Sequence, residues 1–399
     1  MNLELFRWLV LVLACAPFVY YLMCVVAAAR FLRRAGRRNQ SANDFAPPIS
    51  ILKPVRGLDR NALENFRSYC SLDYPDYELV FCVEGSDAPA VPLICDLVAR
   101  HPRCKIRLLT DTEPLGVNPK VNKLARLVRE ARYDLLVMTD SDVRVEPGYL
   151  RSIARVFANP KVGAATVLFR SDVDGSLVSI LDCIGSSCDF WASTLVSRHV
   201  EDGLRFTHGA TMAVRRALLA EIGGWESRVN HHSDDHWLGE QVAARGYKVA
   251  LIDDPIWMVY PSQTLAEHLR HEALRLIRIR SVRPWGYFGL LATQGLFWAL
   301  AAMAVAPSAA IAAAYLVTYL TLRSLMVWVI GVQVLRDPVM RRKWWLAPLR
   351  DAVGFYVWLM GFFSNRIVRR GIEFRSLEGG RLVRIEPRSV RRSWRREAP

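Results

Sequence analysis

The run from about Leu9 to Ala29, LVLVLACAPFVYYLMCVVAAA, contains no charged side chain, and about 20 apolar residues are enough to cross the hydrocarbon core of a bilayer. The basic stretch FLRRAGRR follows it at once. A cleaved signal peptide places its basic group before the apolar core and a cleavage site after it. The order found here predicts a retained anchor. Its positive flank predicts that the domain after it lies on the cytoplasmic side.

The rest of the charge follows the same logic. The formal net charge is +15, and the hydrophobic share of 52% is slightly above that of an ordinary soluble domain. The arginines crowd beside apolar runs and in the tail: Arg30, Arg33, Arg34, Arg37 and Arg38 after the first run, and Arg388, Arg391, Arg392, Arg395 and Arg396 near the end. Anionic lipid attracts such clusters. No zinc, helix-turn-helix or RNA-binding signature accompanies them, so nucleic acid is not an expected partner. The eight cysteines form no CxxC pair and read as free thiols of a reducing compartment.

Residues 40–48 (QSANDFAPP) read as a polar linker, after which a soluble pattern begins. Strand-like runs occur at 48–53, 77–83, 105–109, 134–139 and 162–168, with helix-like amphipathic stretches at about 60–70, 89–100 and 120–131. Strands alternating with helices predict a mostly parallel α/β sheet covered on both faces, with ligands beyond the carboxyl ends of its strands. A second apolar region runs from Tyr287 to Leu335, interrupted at Pro307 and Ser308, and is long enough for two spans joined by a tight turn. The apolar run from Ala352 to Ser364 has the length of an interfacial or re-entrant helix. An in-plane helix there keeps the Arg-rich tail from Arg366 onward on the side of the soluble domain.

Three acidic sites follow strand ends. Thr139-Asp140-Ser141-Asp142 comes directly after DLLVM, and carboxylates at i and i+2 there can converge on one divalent cation, or on a ribose and a cation together. Such pairs are also common in solvated turns; the strand-end position is what favours the functional reading. Ser233-Asp234-Asp235-His236 opens a helix closed by Gly246. Ser233 or Asp234 can serve as its cap, which leaves a carboxylate free to take a proton from an attacking hydroxyl. Asp87, just past another strand, suits either a uracil or ribose contact or an Asx turn before the next helix. Lys53, Lys120 and Arg144 add positive charge near other strand ends.

Taken in order, ISILKPVRG, LDYPDYELVFCVEGSDAPA, GVNPKVNKL, DLLVMTDSDVRVEPGYL, GGW and SDDHWLGEQVAARGYKV resemble the ceramide glucosyltransferase family and its bacterial relatives that glycosylate lipids, the hopanoid-associated glycosyltransferases among them. The resemblance covers roughly residues 5–290, and the ordered set is more specific than any one member. It implies an α/β GT-A (Rossmann-like) catalytic domain with N-terminal and C-terminal transmembrane helices, acting on a UDP-sugar with inversion. By position, Asp87 matches the Asp that contacts the nucleotide, and Asp140 the first residue of the DxD-type site. Asp142 supplies the second acid, so that Asp140 and Asp142 would hold Mg2+ or Mn2+. Asp235 matches the catalytic base, with Asp234 as its neighbour.

The family's (Q/R)xxRW motif has only a partial counterpart in Arg270-His271-Glu272-Ala273-Leu274-Arg275-Leu276-Ile277-Arg278-Ile279. Arg275 or Arg278 can stand for its basic residue, which pairs with diphosphate oxygens. The Trp has no counterpart in either alignment. Lys53, Asp87, Lys120, Asp140, Arg275 and Arg278 are therefore the expected donor-site residues. The implied organisation is an anchor with basic flank at 1–39, a catalytic domain at 40–285, membrane helices at 286–365 and a basic tail at 366–399.

The expected activity is transfer of a glucose- or N-acetylglucosamine-type sugar from a UDP-sugar to a membrane-lipid hydroxyl, ceramide-like or, as the alternative, a hopanoid such as bacteriohopanetetrol. A bacterial inner membrane is the expected location, and nothing in the sequence specifies an oligomeric state. A processive polysaccharide synthase would need more spans and an intact QxxRW. A non-catalytic scaffold would not be expected to keep Asp87, Asp140, Asp142 and Asp235 together.

Overall fold

The computed structural model describes residues 3–38, 45–110, 114–231, 233–282, 284–362, 366–369, 372–376 and 382–384. Its centre is β1 (Ile49–Pro54), buried at every position. Such a continuous apolar run suits a strand covered on both faces. β2 (Tyr77–Cys82), β3 (Ile106–Leu109), β4 (Leu135–Thr139), β5 (Val143–Arg144), β6 (Val162–Asp172), β7 (Thr211–Arg215) and β8 (Lys248–Val259) complete one sheet in the order β3-β2-β1-β4-β7-β6-β8-β5. The first four spatial neighbours pair in parallel. The expected mostly parallel sheet is in fact mixed, because β7 inserts antiparallel between β4 and β6, and β5 lies antiparallel on β8. The five strand-like runs and three amphipathic stretches read from the sequence each correspond to an element found here.

The helices of the N-terminal half are α1 (Leu3–Leu13), α2 (Ala16–Arg38), α3 (Ala62–Ser68), α4 (Ala90–Arg100), α5 (Pro119–Glu130), α6 (Tyr149–Phe157) and α7 (Leu177–Ile184). A π-helical turn at Gly185–Phe190 leads into α8 (Trp191–Val200), followed by α9 (Arg216–Glu221) and α10 (Asp234–Ala244). The C-terminal half adds α11 (Leu265–Val282), α12 (Pro284–Gly289), α13 (Gly295–Val305), α14 (Ala309–Val327), α15 (Pro338–Lys343) and α16 (Ala347–Met360). Two local signals place the site helices. Asn118 caps α5 by accepting the Lys120 N–H, with Pro119 in the first turn, where a missing N–H costs nothing. Gly246, at φ +81°, stops α10 in the left-handed conformation that a side chain disfavours.

Among the described residues, two helical stretches are long and apolar enough to cross a membrane, Leu3–Arg34 and Ala309–Val334. The turn expected at Pro307 and Ser308 is present, with Ser308 capping α14 through the Ile311 N–H. The first of the two C-terminal spans expected from the sequence differs: Pro284–Thr293 and Gly295–Val305 meet at 56°, the geometry of a broken span or re-entrant loop. The break falls at Gln294, which follows a 3-10 turn at Leu290–Thr293 and leaves the helical region at φ −77°, ψ 75°. α16 is too short to be a candidate span and packs on α11, α13 and α14. α2 packs along both α14 and α8, joining the anchor to the C-terminal helices and to the α/β body. Within the region expected only as a basic tail, β9 (Arg366–Arg369), β10 (Ile372–Ser376) and β11 (Leu382–Arg384) form an antiparallel sheet. The tail arginines from Arg388 onward lie outside the described residues.

Candidate active site

Asp140 leaves the end of β4 over the chain that enters β7, and the antiparallel β4–β7 pairing brings the two together. Thr139 Oγ1 donates to the Ala210 carbonyl at 3.0 Å and the Asp140 N–H points to the same oxygen at 3.4 Å. Beneath them Lys53, fully buried at the end of β1, donates to the Asp140 carbonyl oxygen at 2.7 Å and lies 4.1 Å from the centre of the Tyr69 ring. Burial pushes the Lys53 amine down to about 7, against the pull of Asp142, Asp140 and Asp59. Asp142 is the complement: burial, then the negative charges of Asp140 and Asp59, push its carboxyl up to about 7, opposed by Lys53.

Above this floor three acids surround one amine. Lys120 Nζ is 2.8 Å from Asp140 Oδ1, and 3.4 Å from Asp234 Oδ2 in a contact that lacks hydrogen-bond geometry. Burial alone would lower the Lys120 pKa, but Asp140, Asp234 and Asp235 hold it above the ordinary value. Gly209 borders this cluster. A Cβ there would stand 3.2 Å from Lys120 Nζ, 3.6 Å from Asp140 Oδ2 and 3.8 Å from Asp235 Oδ2. Thr207 secures the start of α10 by donating both its N–H (3.2 Å) and its hydroxyl (2.8 Å) to the Asp235 carbonyl. The Asp235 carboxylate accepts the His236 N–H at 2.9 Å. Burial, and then Asp234, push the Asp235 carboxyl up to about 6; Lys120 and the His236 N–H oppose them. A carboxylate so placed suits general-base work near neutral pH.

Lys120, Asp140, Asp234, Asp235 and Arg275 all line one cavity of about 780 Å³. From the acidic cluster it passes Phe169, Phe190 and Met258 and reaches Tyr20 and Tyr21 on the candidate span Leu3–Arg34, Leu290 in the bent pair and Trp358 on α16. Of the other expected site residues, Lys53, Asp142 and Asp87 do not line it. Asp87 is exposed on the turn before α4. The Arg278 side chain lies outside the described residues. Arg144 pairs with Asp172 at 2.5 Å, away from the cavity lining.

At its membrane end the cavity is walled by ion pairs that sequence reasoning missed. Arg275 pairs with Glu272 at 2.8 Å, and Glu272 with Arg350 at 2.5 Å. Asp189 takes Arg323 at 2.7 Å, and Arg323 reaches Asp351 at 2.6 Å. Arg323 sits inside the span Ala309–Val334; a lone cation in an apolar run is a signal that could have found it. Asp189 had no such local signal.

For a divalent cation, the observation that matters is the donor set. No group of three or more His, Cys, Asp or Glu able to hold a metal occurs among the described residues. Magnesium bound with a nucleotide, however, takes one or two carboxylates and fills its remaining positions from phosphate and water. Asp140 fits that role: Lys120 pairs with Oδ1 while Oδ2 lies over Gly209.

A family model described as glycosyl transferase family 21 matches residues 9–382. Ceramide glucosyltransferase 1 of Caenorhabditis elegans is 26% identical over 239 residues, 59% of this chain and 50% of that protein. The ceramide glucosyltransferase of Komagataella phaffii is 30% identical over 128 residues, 31% of this chain and 25% of that protein. The chain thus spans about half the length or less of these relatives. Among solved structures, the mannosyltransferase PcManGT from Pyrobaculum calidifontis, in complex with GDP-Man and Mn2+, aligns at 20% identity and a TM-score of 0.47, covering 87% of this chain and 99% of that one. S. aureus TarS 1-349 with UDP-GlcNAc aligns at 12% and 0.38, covering 85% and 99%. Likeness at this level carries no argument about ligands.

Proposed function

The chain belongs to glycosyl transferase family 21, and from that premise we propose that it transfers a hexose from a UDP-sugar, with inversion, to a hydroxyl of a membrane lipid. One observation carries the reading: the cavity that begins at Asp140 and Asp235 ends among membrane helices. A lipid held there by its apolar body presents its polar end to a carboxylate whose pKa of about 6 leaves it ionised at neutral pH. Asp235 takes the proton of the acceptor hydroxyl as that oxygen attacks the anomeric carbon, and the bond to the diphosphate breaks on the opposite face.

Asp234 and Asp140 hold the Lys120 ammonium beside the leaving group, where it offsets developing negative charge. Arg275 serves the diphosphate and Asp87 the nucleotide. Lys53 and Asp142 support Asp140 from below. A divalent cation, Mg2+ or Mn2+, bound to Asp140 and the donor phosphates would add to the same charge neutralisation. The basic flank at Arg30, Arg33 and Arg34 favours a cytoplasmic catalytic side. The acceptor we favour is ceramide-like, in keeping with the named relatives.

A screen of UDP-glucose, UDP-galactose and UDP-N-acetylglucosamine against ceramide and bacteriohopanetetrol, read by mass spectrometry, tests the proposal. One donor and acceptor pair giving a glycolipid is the expected result. Absence of a glycolipid from every pair, with folded protein in nanodiscs, would refute it.

A further inference from the structure

α16 is inverted relative to a surface helix in water. Leu349, Tyr356, Leu359 and Met360 are exposed, while Arg350, Asp351, Val357 and Trp358 are buried. A helix facing water carries its apolar stripe inward, so the medium outside α16 is apolar. At 1.5 Å per residue its 14 residues reach about 21 Å, short of a hydrocarbon core of roughly 30 Å. It therefore occupies one leaflet.

The packing of the spans decides which one. α14 runs parallel to the N-terminal span: Tyr315 donates to the Leu11 carbonyl at 2.8 Å and its ring lies 5.9 Å from that of Phe18. Further along, Arg323 is 5.7 Å from the centre of the Tyr21 ring. The π-helical turn Trp328–Val334 that ends this span packs on α2. The chain thus emerges beside the end of α2 that carries Arg30, Arg33 and Arg34. α15 follows at once. Asp337, buried at its start, accepts the Ser187 hydroxyl at 3.0 Å, and α15 packs on α7 of the α/β body. The segment between α14 and α16 therefore stands at headgroup level, on the face of the bilayer next to the catalytic domain.

The residues that stand there are Arg341, Arg342, Lys343, Trp344 and Trp345. Arg341 and Arg342 are exposed, and Trp345 is 57% exposed. None of the three cations forms an ion pair among the described residues. The buried Arg323 and Arg350 nearby are each matched by carboxylates. Indole rings settle at the membrane–water interface, and unmatched Lys and Arg side chains there attract anionic headgroups. A zwitterionic lipid would satisfy the indoles and leave the three charges unanswered.

We propose that Arg341, Arg342 and Lys343, with Trp344 and Trp345, form a binding surface for anionic phospholipid in the leaflet next to the catalytic domain. This surface concerns the lipid around the protein and not the acceptor, and it holds whichever reaction the cavity performs.

The test uses the full chain in mixed vesicles of phosphatidylcholine and phosphatidylglycerol, with bromine in the acyl chains of one lipid or the other. Bromine quenches indole fluorescence on contact. The difference between the unaltered protein and a variant with Trp344→Phe and Trp345→Phe isolates these two rings. The binding constant for phosphatidylglycerol relative to phosphatidylcholine is expected to be about fivefold or more, the factor supplied by one Lys or Arg beside an anionic surface. Arg341→Gln, Arg342→Gln and Lys343→Gln together should bring the ratio to one. High salt should do the same in the unaltered protein through screening, with no substitution to disturb folding. Equal constants for the two lipids in the unaltered protein at low salt overturn the proposal. So does a failure of both lipids to quench the pair, which would place the indoles outside the bilayer, or a preference that survives both the triple substitution and high salt.

Discussion

Replacing Asp235 by Asn separates catalysis from stability at a single atom. The substitution keeps the size of the side chain and an oxygen for the His236 N–H, and it removes the charge. In the folded protein that charge is unwelcome: the carboxyl titrates at about 6, from an ordinary 3.8, first through burial and next through Asp234. At 1.36 kcal/mol per pKa unit the ionisation cost at pH 8 is on the order of 3 kcal/mol, and partial solvent access at this position reduces it to about 1–2 kcal/mol. Asp235→Asn is therefore expected to melt no lower than the unaltered protein. Loss of a general base should lower kcat about 100-fold or more, with little change in the KM for the donor. Thermal unfolding by intrinsic fluorescence and transfer of radiolabelled sugar to lipid, on the same nanodisc preparation, give both numbers. Undiminished transfer would refute the assignment of the base. A marked fall in melting temperature would refute the electrostatic account of its surroundings.

Three further outcomes are expected. With Asp235 as base, kcat/KM should rise with pH through about 6, because the carboxyl must lose its proton. Lys120→Met removes the cation that opposes Asp234 and Asp140, so that limb should move to higher pH, and a pH–rate profile left in place would count against the cluster. Exhaustive chelation should lower transfer, with recovery on adding Mg2+ or Mn2+; full activity in chelator would exclude a metal at Asp140. Gly239→Ala would put a Cβ 2.1 Å from the Phe206 Cα and 2.4 Å from its carbonyl carbon. The backbone leading to His208 and Gly209 must then move, at a cost of about 1–3 kcal/mol or more, read as a lower melting temperature and weakened activity.

The comparison of pattern with structure turns on how local each signal was. β1, β2 and β4 were legible because their apolar runs are continuous, as strands covered on both faces require. α5 was legible from its amphipathic pattern and α10 from its closing Gly246. β7 was not identified, and it is the strand that makes the sheet mixed and carries the Gly209 turn to Asp140. Its five residues, TMAVR, offer too short a pattern to give strand order or direction. The C-terminal strands were hidden for the opposite reason, since the basic composition of their surroundings outweighed any alternation.

By itself the amino-acid sequence determined the anchor, the alternation of strands and helices, and the strand-end positions of Asp87 and Asp140, because each depends on neighbours within a few residues. Tertiary structure alone decided that Lys120 stands among three acids, that Asp142 faces Lys53 and not the cavity, and that Arg323 finds Asp189 from 134 residues away. The physical reason is desolvation. A charge enters the interior only beside its counter-charge, and in this chain those counter-charges are supplied by distant elements that no periodicity links.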